Sequence, residues 1–358
     1  MMIFSSLLFV SMTCFSQLES KKELGLLGKV KSFILSENKA VDKLGKIEKD
    51  NSENSFKNDV EEFREFDIYG RCVSFEYSKD SIYEKLKFKY DDKNMLIEEI
   101  DYPILSKTGN ITKYRYKYDI HKKIVEKNTY NNDILSLKET YKYNEKGYEI
   151  ENVSYLLDVG WDEPEIISKY IKKYDAEGNI KEEISSEIGG VITEKKIFQY
   201  HKNSNEKIVT INIFGIDDTL ESINIKVYNL NNILIRSEEL NAKNTLISKN
   251  VYDDKGLLVK SFFYDEVGRE EFYYYNSNQK LTSVLTYDLN HNLINKLIMD
   301  YNSKDDILFN KVLNSNDEVI SEIRYQYDYD IKGNWIEIVE YKNEFPKTIK
   351  VRKIIYFQ

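Results

Sequence analysis

The residue types best suited to chemistry are few in this chain. It holds three histidines, His121, His201 and His291, and two cysteines, Cys14 and Cys72. Converging on one point, such residues would bind zinc or act as base and nucleophile. In the sequence they stand far apart, and each histidine falls in the turn window of a recurrent unit set out below. They read as turn filler, with neither a zinc set nor a Ser/His/Asp or Cys/His constellation. The adjacent glycines Gly189-Gly190 lack the lysine that follows in a phosphate loop. The run LDVGWDEPE places Asp158, Asp162, Glu163 and Glu165 beside Trp161. Calcium loops repeat their acids at a fixed spacing, which this run does not, so it reads as a solvated loop. Glycoside hydrolysis needs two carboxylates across one bond. Among 61 acids no pair stands out. No catalytic residue, metal ligand or cofactor is therefore assigned, and the chain is expected not to be an enzyme. Trp161 and Trp335 are the candidates for stacking on a sugar ring, against the competing account that they pack the covered face of a sheet.

The elements that would position these residues follow from composition. Tyrosine occurs 29 times and proline 3 times. A tyrosine ring packs on a half-buried sheet while its hydroxyl stays in water, so this bias favours strands. With 41% hydrophobic and 32% charged residues the core must be spread thin. The net charge of −9 argues against a nucleic-acid groove, which needs a basic surface.

A single pattern recurs along the chain. In the stretch Tyr329 to Trp335, an aromatic is followed by Asp330, then Gly333 at the fourth position after it, then Trp335 at the sixth. The frame fits at Phe66, Tyr90, Tyr118, Tyr143, Tyr174 and Tyr200. It continues at Tyr228, Tyr252, Tyr264, Tyr275, Tyr287, Tyr301 and Leu313. The residue after the anchor is Asp or Asn throughout, with His201 the exception. Asp175 with Gly178, Asp253 with Gly256, Asp265 with Gly268, and Asp330 with Gly333 carry the fullest form. A type I turn wants Asp or Asn first, because the side chain accepts bonds from N–H groups further along. A G1 bulge wants Gly or Asn fourth, where φ is positive. Together they make a three-residue hairpin loop, with the anchor facing the sixth residue across the ladder. Flanking segments alternate with period two: Tyr114, Tyr116 and Tyr118 share one face, and Lys113, Arg115 and Lys117 the other.

The expected fold is all-β, a long antiparallel hairpin array with little or no helix, coiled into a spiral because strands twist. Less regular turns are placed at Ser106 to Asn110, Asn131 to Asp133, Gly189-Gly190 and Phe214 to Thr219. The charged final segment TIKVRKIIYFQ suits an exposed edge strand. The first 16 residues read as a signal peptide cut after Ser16, although no Lys or Arg precedes the apolar run. A buried first strand is the rival account of that run, and Ser11-Met12-Thr13 matches a lipobox poorly. Residues 17–59 read as a strand over Leu24 to Leu35 plus a polar loop, and 60–358 as the repeat domain. Cys72 takes the place of an aliphatic and reads as a small core residue. No later stretch has the length of a membrane span.

The units YDAEGNI, YDDKGLL, YDEVGRE and YDIKGNW resemble the Rhs/YD-repeat family over about residues 60 to 345. The resemblance implies a hairpin array winding into a spiral shell, frequent in exported bacterial proteins and sometimes associated with carbohydrate binding. The chain departs from the large members: it is too short to enclose a toxin, and it lacks their cleavage region and effector domain. It is more similar to short exported YD-like proteins, and no family catalytic residue carries over. The functional expectation is a non-catalytic exported protein, periplasmic, surface-bound or secreted. Its curved sheet would bind a glycan or an envelope protein. A structural envelope spacer without a ligand is the alternative, followed by a carbohydrate-active enzyme.

Overall fold

The computed structural model describes residues 24–50, 60–79, 82–102, 111–157, 163–264 and 268–358. The signal-peptide reading, Trp161, Asp265 and the Ser106 to Asn110 turn lie outside these residues. The described residues form 25 β-strands and one three-residue 3₁₀ turn, Ile188–Gly190. The chain divides into two compact units. One runs to Thr112 and adds Gln326–Val339 and Pro346–Gln358; the other is Lys113–Tyr325 with Glu340–Phe345.

In the first unit the strand Val30–Lys43 lies between Val60–Phe66 and the C-terminal strand Phe345–Tyr356. Phe33 sits opposite Arg64 on one side and Ile354 on the other. The main-chain N–H of Phe357 also reaches Lys29 O at 2.7 Å. This seam overturns two expectations. The first strand is paired on both flanks, with Val60–Phe66 and with the last strand, so it is not the free end of an open spiral. The final strand is not an exposed edge: its Thr348 to Tyr356 segment is hydrogen-bonded to the first strand, and Lys350 pairs with Glu37 at 3.0 Å.

The loop reading is also corrected over residues 36–49; residues 51–59 lie outside the described residues. The first strand runs on to Lys43, and Lys46–Lys49 folds back on it. Asn38 and Ala40 are buried in this stretch while Lys39 is exposed, so alternation persists beneath a polar composition. The core of this unit gathers Leu26, Val30, Phe33, Phe66, Cys72, Phe75, Leu86 and Phe88. The Cys72 thiol is pushed up to about 11 by burial.

The second unit is a run of consecutive antiparallel hairpins. At most of its motif turns the anchor faces the sixth residue after it, as in Tyr174 opposite Ile180 and Tyr252 opposite Leu258, whereas Tyr200 faces Val209. Most of its residues are only half buried, because a single sheet layer leaves water near both faces.

Candidate functional site

The turns hold the site, and their geometry follows from their residues. At Asp175 the main-chain N–H donates to Asn179 O (2.9 Å), and Gly178 N–H donates back to Asp175 O (3.1 Å). The Asp175 carboxylate accepts from Asn179 N–H at 2.8 Å. Asp253 and Asp330 accept in the same way from the residues two and four further on. Gly178, Gly256, Gly268 and Gly333 have φ of 91°, 83°, 59° and 91°. Asn94, Lys122, Gln279, His291, Asp305 and Asp317 hold the same left-handed position without glycine.

Three turns depart from the sequence reading. His201 is inside the strand Ile192–Lys202, and the bend comes later, where Asn203 Oδ1 accepts from Asn205 and Glu206 N–H. Conversely, the segment after Phe214 forms the regular loop with Gly215 in the aspartate place, and Asn241 forms another. The sequence reading placed the first of these as an irregular turn, because Gly215 is neither Asp nor Asn, and missed the second, whose anchor Leu240 is not aromatic.

The anchor tyrosines do more than face an aliphatic. Tyr143 Oη donates to Ile124 O, Tyr174 to Glu149 O, Tyr200 to Ile180 O, Tyr275 to Leu258 O and Tyr301 to Leu281 O, all at 2.7–2.8 Å. Each acceptor is the sixth residue of an earlier unit, the one before for Tyr143, Tyr174 and Tyr200 and two before for Tyr275 and Tyr301, so every such tyrosine staples its turn to an earlier one. The expectation that these hydroxyls stay in water is therefore corrected. Burial raises the pKa of all five phenols.

Between successive turns lies a groove of about 360 Å³, lined by Asn144, Lys146, Tyr148, Lys172, Tyr174 and Asp175 among others. Tyr148 stacks on Tyr174 with ring centroids 5.1 Å apart and 23° between planes, and stays 41% exposed. It reaches over Gly178, where a Cβ would meet its Cε2 at 3.0 Å. Lys146 Nζ crosses the groove to Ala176 O at 2.9 Å. The Asn179 side chain, foremost, holds the Asp175 carboxyl below its ordinary range. The groove thus joins an aromatic ring to hydrogen-bonding groups of both signs. Tyr148 escaped the sequence reading because it stands one place beyond the glycine, where the pattern assigns no role.

Trp335, the other stacking candidate, is placed differently. Arg352 lies 3.4 Å from its ring centroid and 5.2 Å from that of Phe33. That face of the indole is occupied by a guanidinium whose pKa burial pushes down to about 10.

A second groove, about 390 Å³, is lined by Ile34, Glu61, Phe63, Glu76, Tyr77, Ser78 and Tyr83. Lys85 donates to Glu76 at 2.5 Å and is the main cause holding that carboxyl below its usual range. A glycosidase acid needs the opposite shift. Among the described residues no three His, Cys, Asp or Glu side chains are grouped to hold a metal. No helix there is long and apolar enough to cross a membrane.

No family model matches the chain, and no curated protein sequence matches it. Among solved structures it is similar to the TcdB2-TccC3 chain at 12% identity and TM-score 0.32. That match covers 81% of this chain and 19% of the other. A porin-like protein from Bacteroides uniformis matches at 11% identity and TM-score 0.23, covering 91% of this chain and 96% of that one. A porin-like protein from Bacteroides vulgatus matches at 10% identity and TM-score 0.18, covering 80% and 98%. The chain spans about a fifth of the TcdB2-TccC3 chain. At these scores the likeness carries no argument about activity.

Proposed function

We propose that the chain is a non-catalytic exported protein, akin to short YD-repeat proteins, that binds a glycan on the turn-lined border of its sheet. The observation that carries this reading is the groove at Tyr148. Its half-exposed ring offers an apolar face, and Lys146, Lys172 and Asp175 offer hydrogen bonds beside it. Sugar rings have the same division between an apolar face and a polar rim.

Both sheet faces of the second unit are read as bathed in water. Glu151, Lys169 and Glu182 lie on one face and Lys127, Glu139 and Lys172 on the other, all within strands. A lysine or arginine on a lipid-facing strand costs about 2–4 kcal/mol at the bilayer midplane. A lipid-spanning role would incur that cost strand after strand.

The test is a glycan panel against the full chain and Tyr148→Ala. Binding by the native chain, weakened about tenfold in the variant at unchanged circular dichroism, supports the reading. Absence of any glycan ligand for the folded chain refutes it and favours the spacer. The hydroxyl staples, whose role is wholly structural, speak for that second reading.

A further inference from the structure

One face of the second unit carries a repeated arrangement of charge. Glu126 is bracketed by Lys117 (2.6 Å) and Lys138 (3.0 Å) from the strands on either side. Glu151 is bracketed in the same way by Lys142 and Lys169, both at 2.7 Å. Lys173 meets Glu182 at 2.5 Å. Strand pairing sets these residues on one face: Glu151 opposes Ile171, which opposes Ile184, and Lys173 opposes Glu182 directly. Five lysines stand against three glutamates. The layers differ too. The carboxylate side chains are 17, 18 and 20% exposed, while those of the lysines are 35 to 67% exposed. The Lys117 hydrogen bond, chiefly, holds the Glu126 carboxyl down at about 2, so that acid stays ionised beneath its two ammonium groups.

We infer that this lysine row is a docking surface for a carboxylated polysaccharide. The inference rests on the glycan reading above and narrows it to acidic sugars. Although the whole chain has a net charge of −9, the layer a ligand meets here is cationic. Lys142 and Lys169 sit on strands separated by one other and two residues out of line, which sets their attachment points about 12 Å apart. A polymer with a carboxylate every one or two sugar rings has charge spacing of that order. Duplex DNA carries a charge every ~1.7 Å, far denser than this row can neutralise. Lys173 also lines the Tyr148 groove, so the row leads into the aromatic site.

The experiment measures binding of polygalacturonate, neutral dextran and duplex DNA to the full chain, with rising salt. Polygalacturonate is expected to bind, to weaken as salt rises, and to exceed the other two. The variant Lys142→Gln/Lys169→Gln/Lys173→Gln should weaken it about tenfold, the sum of three modest surface charge contacts. Glu151→Gln, which leaves every lysine in place, should tighten it, and this keeps the test decisive if the triple variant folds poorly. Dextran binding as tightly as polygalacturonate overturns the inference while leaving the glycan reading in place. DNA binding more tightly than polygalacturonate overturns it, as does affinity unchanged in both variants. Failure of both polysaccharides to bind, with no ligand in the wider panel, removes the inference and the glycan reading together.

Discussion

Substituting alanine at Gly178 separates two roles that glycine plays in one turn. The first is backbone freedom. Its φ of 91° lies where L-residues are strained by roughly 1–3 kcal/mol. The second is space. A Cβ would stand 3.0 Å from Tyr148 Cε2 and 3.1 Å from its Oη, so the ring must give by a few tenths of an ångström and its stack on Tyr174 is loosened. A stacked pair is worth about 0.5–1.5 kcal/mol, part of which is then lost. Gly189 is the control, with φ of 74° and nothing within 4 Å of its Cβ, so Gly189→Ala bears the backbone term alone. Gly178→Ala should therefore exceed Gly189→Ala by up to about 1 kcal/mol. Hydrogen exchange with mass spectrometry reads this directly as faster local opening in peptides covering each turn, without assuming that the whole sheet unfolds at once. Gly178→Ala should also lose glycan affinity, because Tyr148 is displaced. Equal effects of the two substitutions on local opening would refute the reasoning.

Other outcomes follow from the same geometry. Tyr301→Phe should destabilise the neighbouring hairpin by about 1 kcal/mol through loss of its bond to Leu281 O, seen as faster exchange in Leu281–Asp288. Stability should hold up to pH 10, the unfolded phenol value, and fall as pH rises further. Burial lifts Tyr90 and Tyr273 to about 12 in the folded chain, so the unfolded chain loses these protons first. A urea midpoint that is flat from pH 9 to about 12 would contradict this. Arg352→Gln should cost about 1–2 kcal/mol and shift tryptophan emission to the red, as the stack on Trp335 is lost.

How much was legible in the sequence depends on where each signal resides. The turns were legible because Asp175 and Gly178 are selected for local hydrogen bonding and for positive φ, and both show in the residue type. The turn at Phe214 to Thr219 was legible only as an irregular one, since its regular hydrogen bonds are main-chain and need no acid. The tyrosine staples were hidden for a related reason: their acceptors are carbonyl groups, which every residue carries. The first strand was lost where Ser36 to Lys43 is polar, although burial still alternates there. The pairing of the first strand with the last was least visible, because the match of Ile34 with Lys353 is made by backbone groups that any sequence supplies. In the candidate site, Asp175 and Gly178 were legible as a bend, but the groove arises from two turns side by side, and that adjacency is tertiary.

The seam between Val30–Lys43 and Phe345–Tyr356 also has a bearing on how the molecule is made. Its two strands stand far apart in sequence, so the first waits with one flank unsatisfied until Phe345–Tyr356 has been made. This pairing should form late in folding, and a variant lacking Phe345–Tyr356 would leave that flank of Val30–Lys43 as a raw edge open to pairing with another chain.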